Sequence, residues 1–182
     1  YMYRIDVFSD WKMILLMSIM MLFQMLFAYL IINYFQFSEY LVPISVGALT
    51  LTILFDARIG FMSTVAVSIL VGLMMGQNID FVISSLFIST VGVYNIRELR
   101  KRSQLFTTMF ALIGASIIVI IAIGLFKEQS WSKIILDLQI LTLNCFLAPI
   151  ITYGLIGLTE MVFEVTTDLT LIELLDYDRP LL

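Results

Sequence analysis

The sequence predicts an all-α fold, a polytopic membrane bundle in which six transmembrane helices cross a bilayer. Three observations predict it. The 182 residues are 61% hydrophobic and only 13% charged, with a mean hydropathy of +1.04, whereas a soluble domain is about half apolar and about a quarter charged. The apolar residues fall into six runs separated by short polar segments. These runs lack the two-residue alternation of a transmembrane β-barrel.

The six predicted helices follow the apolar runs. In chain order the runs are 13–35, 41–55, 59–75, 81–96, 105–126 and 134–163. The second begins close to Pro43, a residue that the first turn of a helix tolerates. The second, third and fourth are short for a hydrocarbon core that takes about 20 residues, so we expect little tilt or locally thinned lipid there.

The sixth run is too long for one perpendicular span. Its 30 residues, 134–163, would extend about 45 Å as a continuous helix. Pro149 lies in its middle and removes one backbone hydrogen bond, so we expect a kink there. Trp131 and Lys133 mark the membrane interface where this helix begins.

Lysine and arginine positions predict the orientation. With the amino terminus inside, eight of the ten lie in cytoplasmic segments and two, Lys127 and Lys133, lie outside. Six spans then return the carboxyl terminus to the cytoplasm. The cytoplasmic topology anchors are Arg58, Arg97, Arg100, Lys101 and Arg102. The cluster at 97–102 has a second interpretation as a docking surface for a cytoplasmic domain.

The domain organisation follows from this topology. Residues 1–12 form a cytoplasmic link, 13–163 the six-helix transmembrane domain and 164–182 a cytoplasmic linker. The chain opens at Tyr1 and stops at Leu182, so we expect a piece of a longer protein. Asp56 is expected to cap a tight turn between the second and third helices.

The composition excludes several classes of catalyst. The chain has no histidine and a single cysteine, Cys145, which excludes a histidine-based zinc site, a Ser-His-Asp triad and an internal disulfide. It also lacks a phosphate-binding glycine loop and a dinucleotide fingerprint. We therefore predict no catalytic, cofactor-binding or metal-binding residue in this chain, and no nucleic-acid partner.

Few polar side chains interrupt the spans, and they cluster in the sixth run. The set comprises Gln24, Asn33, Asn144, Thr152, Tyr153 and Glu160. Glu160 is the ionisable group closest to membrane depth, where such groups are functional candidates, whereas Asp80 and Asp137 are expected at the external rim. The group around Pro149 either lines a small cavity or makes helix–helix hydrogen bonds. Gly72 and Gly76 form a small-xxx-small pattern that lets helices approach closely.

The most specific stretch is the tail that follows the sixth run. Thr167 can cap a short helix, and Thr170 with Glu173 resembles a capping box. An apolar stripe through Leu169 and Ile172 would lie along the membrane or against a partner domain.

This tail resembles the junction in bacterial seven-transmembrane receptors with an intracellular HD hydrolase domain, where a TTDLxLLEL…PLL segment precedes the HD domain. The matching residues are Thr166, Thr167, Asp168, Leu169, Leu171, Glu173, Leu174, Pro180, Leu181 and Leu182. The turn at 54–58, the basic stretch through Arg102 and the segment 1–12 are also similar to that family, so the resemblance covers nearly the whole chain.

The resemblance implies a receptor in which an external domain senses a ligand and a metal-dependent cytoplasmic HD domain hydrolyses cyclic di-AMP. The divalent metal would belong to the HD domain, which this chain lacks, and catalysis is carried over to no residue here. We expect a module that anchors and regulates that phosphodiesterase from the bacterial cytoplasmic (inner) membrane. The signal-coupling candidates are Pro149, Asn144, Tyr153, Glu160, Thr167, Asp168 and Glu173.

The expected partners are the lipid bilayer and the receptor's own extracellular and HD domains. A homo-oligomer formed with a second copy of the chain is a further possibility. An alternative function is the substrate-binding subunit of a vitamin-type uptake transporter. That class predicts an alanine-rich first span, and Ala28 is alone there. An intramembrane protease would need a Ser-His pair or two facing aspartates, and neither is visible.

Overall fold

The structure, a computed structural model, describes residues 11–97 and 103–163. Over these ranges the chain forms six α-helices and no β-strand. The α-helices are α1 (Trp11–Tyr29), α2 (Ile44–Leu54), α3 (Ala57–Met74), α4 (Ile79–Ile96), α5 (Ser103–Phe126) and α6 (Trp131–Phe163). A π-helical turn, Leu30–Tyr34, extends α1, and a 3₁₀ turn, Glu39–Leu41, precedes α2. The predicted all-α bundle is confirmed.

Five of the six helices are long and apolar enough to cross a membrane, and α2 is the exception. With 11 residues it extends only about 16 Å, roughly half of a hydrocarbon core about 30 Å thick. The apolar run predicted this span as a helix over 41–55. The chain instead reaches Ile44 through a 3₁₀ turn and two non-helical residues, so the helix starts inside the bundle.

Side-chain caps define the helix starts at two turns. Asp56 accepts a hydrogen bond from the Ala57 N–H at 2.8 Å, so the expected cap between α2 and α3 is present. Asn78 accepts one from the Phe81 N–H at 3.2 Å at the start of α4. These contacts satisfy backbone donors that helix ends leave open.

Two contacts show which helix ends meet. Glu39, before α2, accepts a hydrogen bond from Asn78, which joins α3 to α4. Lys127, after α5, pairs with Asp80 at the start of α4. We call this the acidic end of the bundle, and its charged residues in the described ranges are Glu39, Asp80, Lys127, Glu128, Lys133 and Asp137. The α2–α3 turn and the far ends of α4 and α6 lie at the opposite end.

Helix α2 lies at the centre of the packing. All nine residues from Ile44 to Thr52 are buried, and α3, α4 and α6 pack around them. The largest apolar cluster includes Leu49 of α2 and Leu112 of α5, which are fully buried. Because α2 has no lipid-facing side over this stretch, neighbouring helices rather than lipid solvate it.

The outer surface of the bundle is apolar, as a lipid environment requires. Large hydrophobic side chains that are exposed include Phe23 on α1, Phe110 on α5 and Leu158 on α6. A soluble protein rarely exposes so much contiguous apolar surface. The chain is therefore a multi-pass membrane protein.

The two glycines of the small-xxx-small pattern have different roles. A Cβ at Gly72 would lie 2.2 Å from a methyl carbon of Val82, so this glycine allows close contact between α3 and α4. Gly76 lies beyond α3 in a turn, with φ +72° and nothing near its Cβ position. The predicted close approach of helices is thus correct at Gly72 and wrong at Gly76. The positive φ of the turn explains the glycine at position 76.

Candidate functional site

The interrupted second span brings non-helical backbone into the interior of the bundle. After the 3₁₀ turn, Val42 is extended, and Pro43 precedes α2 without a side-chain cap. Both the Tyr40 and the Val42 side chains are buried. Non-helical backbone at membrane depth is tolerated where protein surrounds it and supplies hydrogen-bond partners.

Helix α6 supplies partners to this segment. The Asn144 Nδ2 atom donates to the Tyr40 carbonyl oxygen at 2.9 Å and to the Val42 carbonyl oxygen at 3.1 Å. The Asn144 side chain is itself buried. One amide therefore holds the non-helical part of the second span against α6.

A second contact joins α6 to α2 further along. The Thr152 hydroxyl donates to the Val46 carbonyl oxygen at 3.3 Å, and this oxygen also accepts from Thr50 at 2.7 Å. Residues 144 and 152 are about two helical turns, or about 12 Å, apart on the same face of α6. Both were predicted as polar groups around the kink. Thr152 makes a helix–helix hydrogen bond, as in the second interpretation, whereas Asn144 bonds the backbone that precedes α2.

Pro149 lies between these two contacts. It is buried, and α6 is helical on both of its sides. Because proline has no N–H, the carbonyl of Cys145 loses its usual donor four residues later. Such a position lets the two halves of a helix change their relative angle at low energetic cost. The kink itself stays a prediction.

A small cavity adjoins Asn144, so the first interpretation of this region also holds in part. Its volume is about 20 Å³, and its polar lining includes Asn144 and four serines, Ser45, Ser84, Ser85 and Ser89. The Ser84 hydroxyl is buried and has no hydrogen-bond partner. A space of this size is large enough for one water molecule beside these polar groups.

The acidic end lies above this segment. Burial raises the pKa of the Glu39 carboxyl, and the nearby carboxylates of Asp137 and Asp80 raise it further. Lys133 and Lys127 oppose the rise. Asp80 pairs with Lys127 at this end, whereas Asp137 is packed inside the protein and is only 8% exposed. Their expected position at the external rim stays a prediction.

The remaining candidates are placed less centrally or are not described. Tyr153 is 45% exposed on the outer surface of α6. Glu160 lies in the last turns of α6, and its side chain is outside the described set. The linker candidates Thr167, Asp168 and Glu173 lie outside the described residues.

Two of the five topology anchors lie in the described ranges. Arg58 is exposed near the start of α3. Arg97 lies 4.2 Å from the centre of the Tyr94 ring, a cation–π contact at the end of α4. The other three anchors, Arg100, Lys101 and Arg102, are outside the described ranges.

The sequence did not predict the hydrogen-bond acceptors of this site. The groups that Asn144 and Thr152 bind are main-chain carbonyls, which every residue carries, so no side-chain pattern identifies them. A usable signal was the polar stretch Gln36–Glu39 directly before an apolar run that contains Pro43. Within 11–97 and 103–163, no group of three or more metal-ligating side chains lies together.

Comparison with known proteins identifies the family. The family described as 7TM receptor with intracellular HD hydrolase matches residues 1–167 of this 182-residue chain. No curated protein and no solved structure matches it. The family description separates the membrane receptor from the intracellular hydrolase, and the match falls on the membrane helices. This chain therefore belongs to the family of 7TM receptors with an intracellular HD hydrolase.

Proposed function

We propose that this chain is the sensory and signal-transducing membrane module that anchors and regulates a cytoplasmic HD-domain phosphodiesterase acting on cyclic di-AMP. The hydrolytic residues and their divalent metal would belong to that HD domain, and this chain would contribute no catalytic group. Its partners would be the lipid bilayer and the receptor's own extracellular and HD domains.

The observation that carries the proposal is the pair of α6 contacts on either side of Pro149. Asn144 binds the non-helical backbone of the second span, and Thr152 binds α2 itself. A change at the acidic end that moves the 36–43 segment would therefore pull on one half of α6. Because Pro149 allows the two halves to reorient, the movement would appear at the end of α6 that precedes the linker.

The proposed orientation places the acidic end outside a bacterial cytoplasmic membrane and both chain ends in the cytoplasm. The charge distribution supports it. The described residues of the opposite end include Arg58 and Arg97, and Arg100, Lys101 and Arg102 follow Arg97 in the sequence. Lysine and arginine are enriched on the cytoplasmic side of membrane proteins.

The test compares cyclic di-AMP hydrolysis by the full-length receptor in liposomes with hydrolysis by its isolated HD domain. Regulation by the membrane module predicts different rates for the two. In the full-length protein, Pro149→Ala should move the rate toward that of the isolated domain, since it restores a backbone hydrogen bond and stiffens α6. Leu147→Ala, at a lipid-facing position nearby, is the control and should leave the rate unchanged.

Two results would refute the proposal. Equal rates for the full-length receptor and the isolated domain would show that the membrane helices only anchor the enzyme. A Pro149→Ala rate equal to wild type would show that α6 does not carry the coupling, even where regulation exists.

A further inference from the structure

The small serine-lined cavity lies where the interrupted second span meets α4 and α6. Its walls include Ser45 at the start of α2, Ser84 of α4 and Asn144 of α6. The hydroxyl oxygen of Ser84 is buried and has no hydrogen-bond partner among the described residues. An unpaired hydroxyl in an apolar interior costs free energy. A molecule that bonds to this hydroxyl would therefore bind favourably.

The Ser84 hydroxyl differs from several others in the bundle, which donate to a carbonyl of their own helix. Ser85, the next residue of α4, donates to the Val82 carbonyl oxygen at 3.1 Å. Ser68 of α3 is the other serine of the described ranges whose hydroxyl is buried and unpaired, but it does not line this cavity. Ser84 therefore combines an open hydrogen bond with a space that a ligand can fill.

The start of α2 adds a second polar group to the same cavity. The helix begins after Pro43, which supplies no side-chain cap, and Ser45 is only 6% exposed. The N–H groups of Ile44 and Val46 bond the carbonyls of Val42 and Pro43, whereas none of the turn bonds of the described residues involves the Ser45 N–H. The first N–H groups of a buried helix need a partner from outside the helix.

The charges around the cavity indicate a neutral ligand. Among the described residues, no lysine, arginine, aspartate or glutamate lines it. The positive end of the α2 dipole disfavours a cation. Glu39 and Asp80 directly precede the lining residues Tyr40 and Phe81, and their end of the bundle has four acids against two lysines, which disfavours an anion. The ligand is therefore neutral, and a volume of about 20 Å³ limits it to one water molecule.

We propose that this cavity is a binding site for one ordered water molecule that bridges Ser84 of α4 to Ser45 at the start of α2. The water accepts a hydrogen bond from the Ser45 N–H, as a capping side chain would, and pairs with the Ser84 hydroxyl. Ordered water is one of the means by which membrane proteins satisfy the backbone of interrupted helices. The site does not depend on the proposed signalling function.

Crystals of the chain grown in a lipidic cubic phase test the occupant directly. We expect one peak of water density about 2.5–3.0 Å from the Ser84 hydroxyl oxygen and within hydrogen-bond distance of Ser45. The peak should persist when choline replaces sodium in the crystallisation medium. Bromide in place of chloride should give no anomalous signal at this position.

Two matched variants test the hydrogen bond to water in mixed micelles. Ser84→Ala and Ser68→Ala make the same change at buried, unpaired serines, so the difference in helix propensity is the same for both. If water pairs with Ser84, Ser84→Ala should shift the unfolding equilibrium about threefold toward the unfolded state, the effect of one average hydrogen bond in a membrane protein. Ser68→Ala should leave the equilibrium unchanged or favour the folded state, because it removes an unpaired hydroxyl.

Four results would overturn the proposal. A bromide signal would identify an anion site, and a peak that disappears without sodium would identify a cation site. A Ser84 hydroxyl bonded to a carbonyl of α4, with no peak in the cavity, would mean that the helix itself satisfies the serine. Equal effects of Ser84→Ala and Ser68→Ala on unfolding would show that water does not pair with Ser84.

Discussion

Glu39 is a partly buried carboxylate among other acids at the acidic end, and its raised pKa makes stability depend on pH. The folded state favours the protonated form. The contribution of Glu39 to stability is therefore complete below the ordinary glutamate pKa and is lost as pH rises through the raised value. Glu39→Gln retains an oxygen for the hydrogen bond from Asn78 and does not ionise.

We expect the melting temperature of Glu39→Gln in detergent to exceed that of wild type at pH 8, with the difference shrinking toward pH 4. Thermal unfolding followed by intrinsic fluorescence measures it across this range. Glu128→Gln, at an exposed position of the same end, is the control and should follow wild type. If the difference in melting temperature between Glu39→Gln and wild type stays constant with pH, the raised pKa of Glu39 is contradicted.

Gly60 is a second residue whose identity is fixed by its surroundings. A Cβ there would lie 2.0 Å from the Thr52 hydroxyl and 2.9 Å from the Ala48 carbonyl oxygen, which belongs to the backbone. Side-chain movement alone does not relieve that contact, so α2 and α3 would have to separate.

Gly60→Ala should lower the free energy of unfolding by about 1–3 kcal/mol, the usual cost of overpacking. Gly114→Ala is the matched control, because nothing lies within 4 Å of its Cβ position. That variant should be neutral or more stable by up to about 1 kcal/mol, since alanine favours helix. Denaturant titration in mixed micelles compares the two, and equal effects would refute the close α2–α3 contact.

At the scale of elements, the second span differs most from an ordinary transmembrane helix. It combines the segment 40–43, which is not α-helical, with a short buried helix, and α6 supplies hydrogen bonds to both parts. Asn144 is the main partner. Among the side chains of the described residues, it is the one that donates hydrogen bonds to carbonyls of the non-helical part.

Asn144→Leu should therefore lower the free energy of unfolding by about 1–3 kcal/mol. The buried Tyr40 carbonyl loses its donor and the Val42 carbonyl loses one of two, since it keeps its bond from the Ile44 N–H. Thr152→Val should cost less than about 1 kcal/mol, since the Val46 carbonyl keeps its bond from Thr50. The same micelle titrations measure both. A larger loss for Thr152→Val than for Asn144→Leu would mean that the α2 contact, not the non-helical segment, holds the two elements together.

For the whole molecule, hydrophobic length predicted the helices well. Five runs matched helices to within a few residues at most ends, because lipid requires every backbone group in a span to be bonded within it. The rule fails at residues 40–43, where Tyr40 and Val42 are buried in the protein. Hydropathy does not distinguish lipid from a protein interior, so the run at 41–55 could not reveal that α2 starts only at Ile44.

Only the side-chain donors of the candidate site were predictable from the sequence. Asn144 and Thr152 were recognisable as polar residues near Pro149 in an apolar run. Their main-chain acceptors depend on how distant segments pack, and no local pattern encodes that packing. The family resemblance predicted from the tail agrees with the match over 1–167, although most of that tail lies outside both the match and the described residues.

The orientation of the bundle is testable with single cysteines in a Cys145→Ala background. The acidic end carries two lysines among four acids, whereas the sequence at 97–102 concentrates arginine and lysine. The positive-inside rule therefore predicts that this segment is cytoplasmic. In intact cells, a membrane-impermeant maleimide should label a cysteine at position 129, which lies between α5 and α6, but not one at position 100. Permeabilisation should expose position 100, and the reverse pattern would place the acidic end in the cytoplasm and invert the proposed direction of signalling.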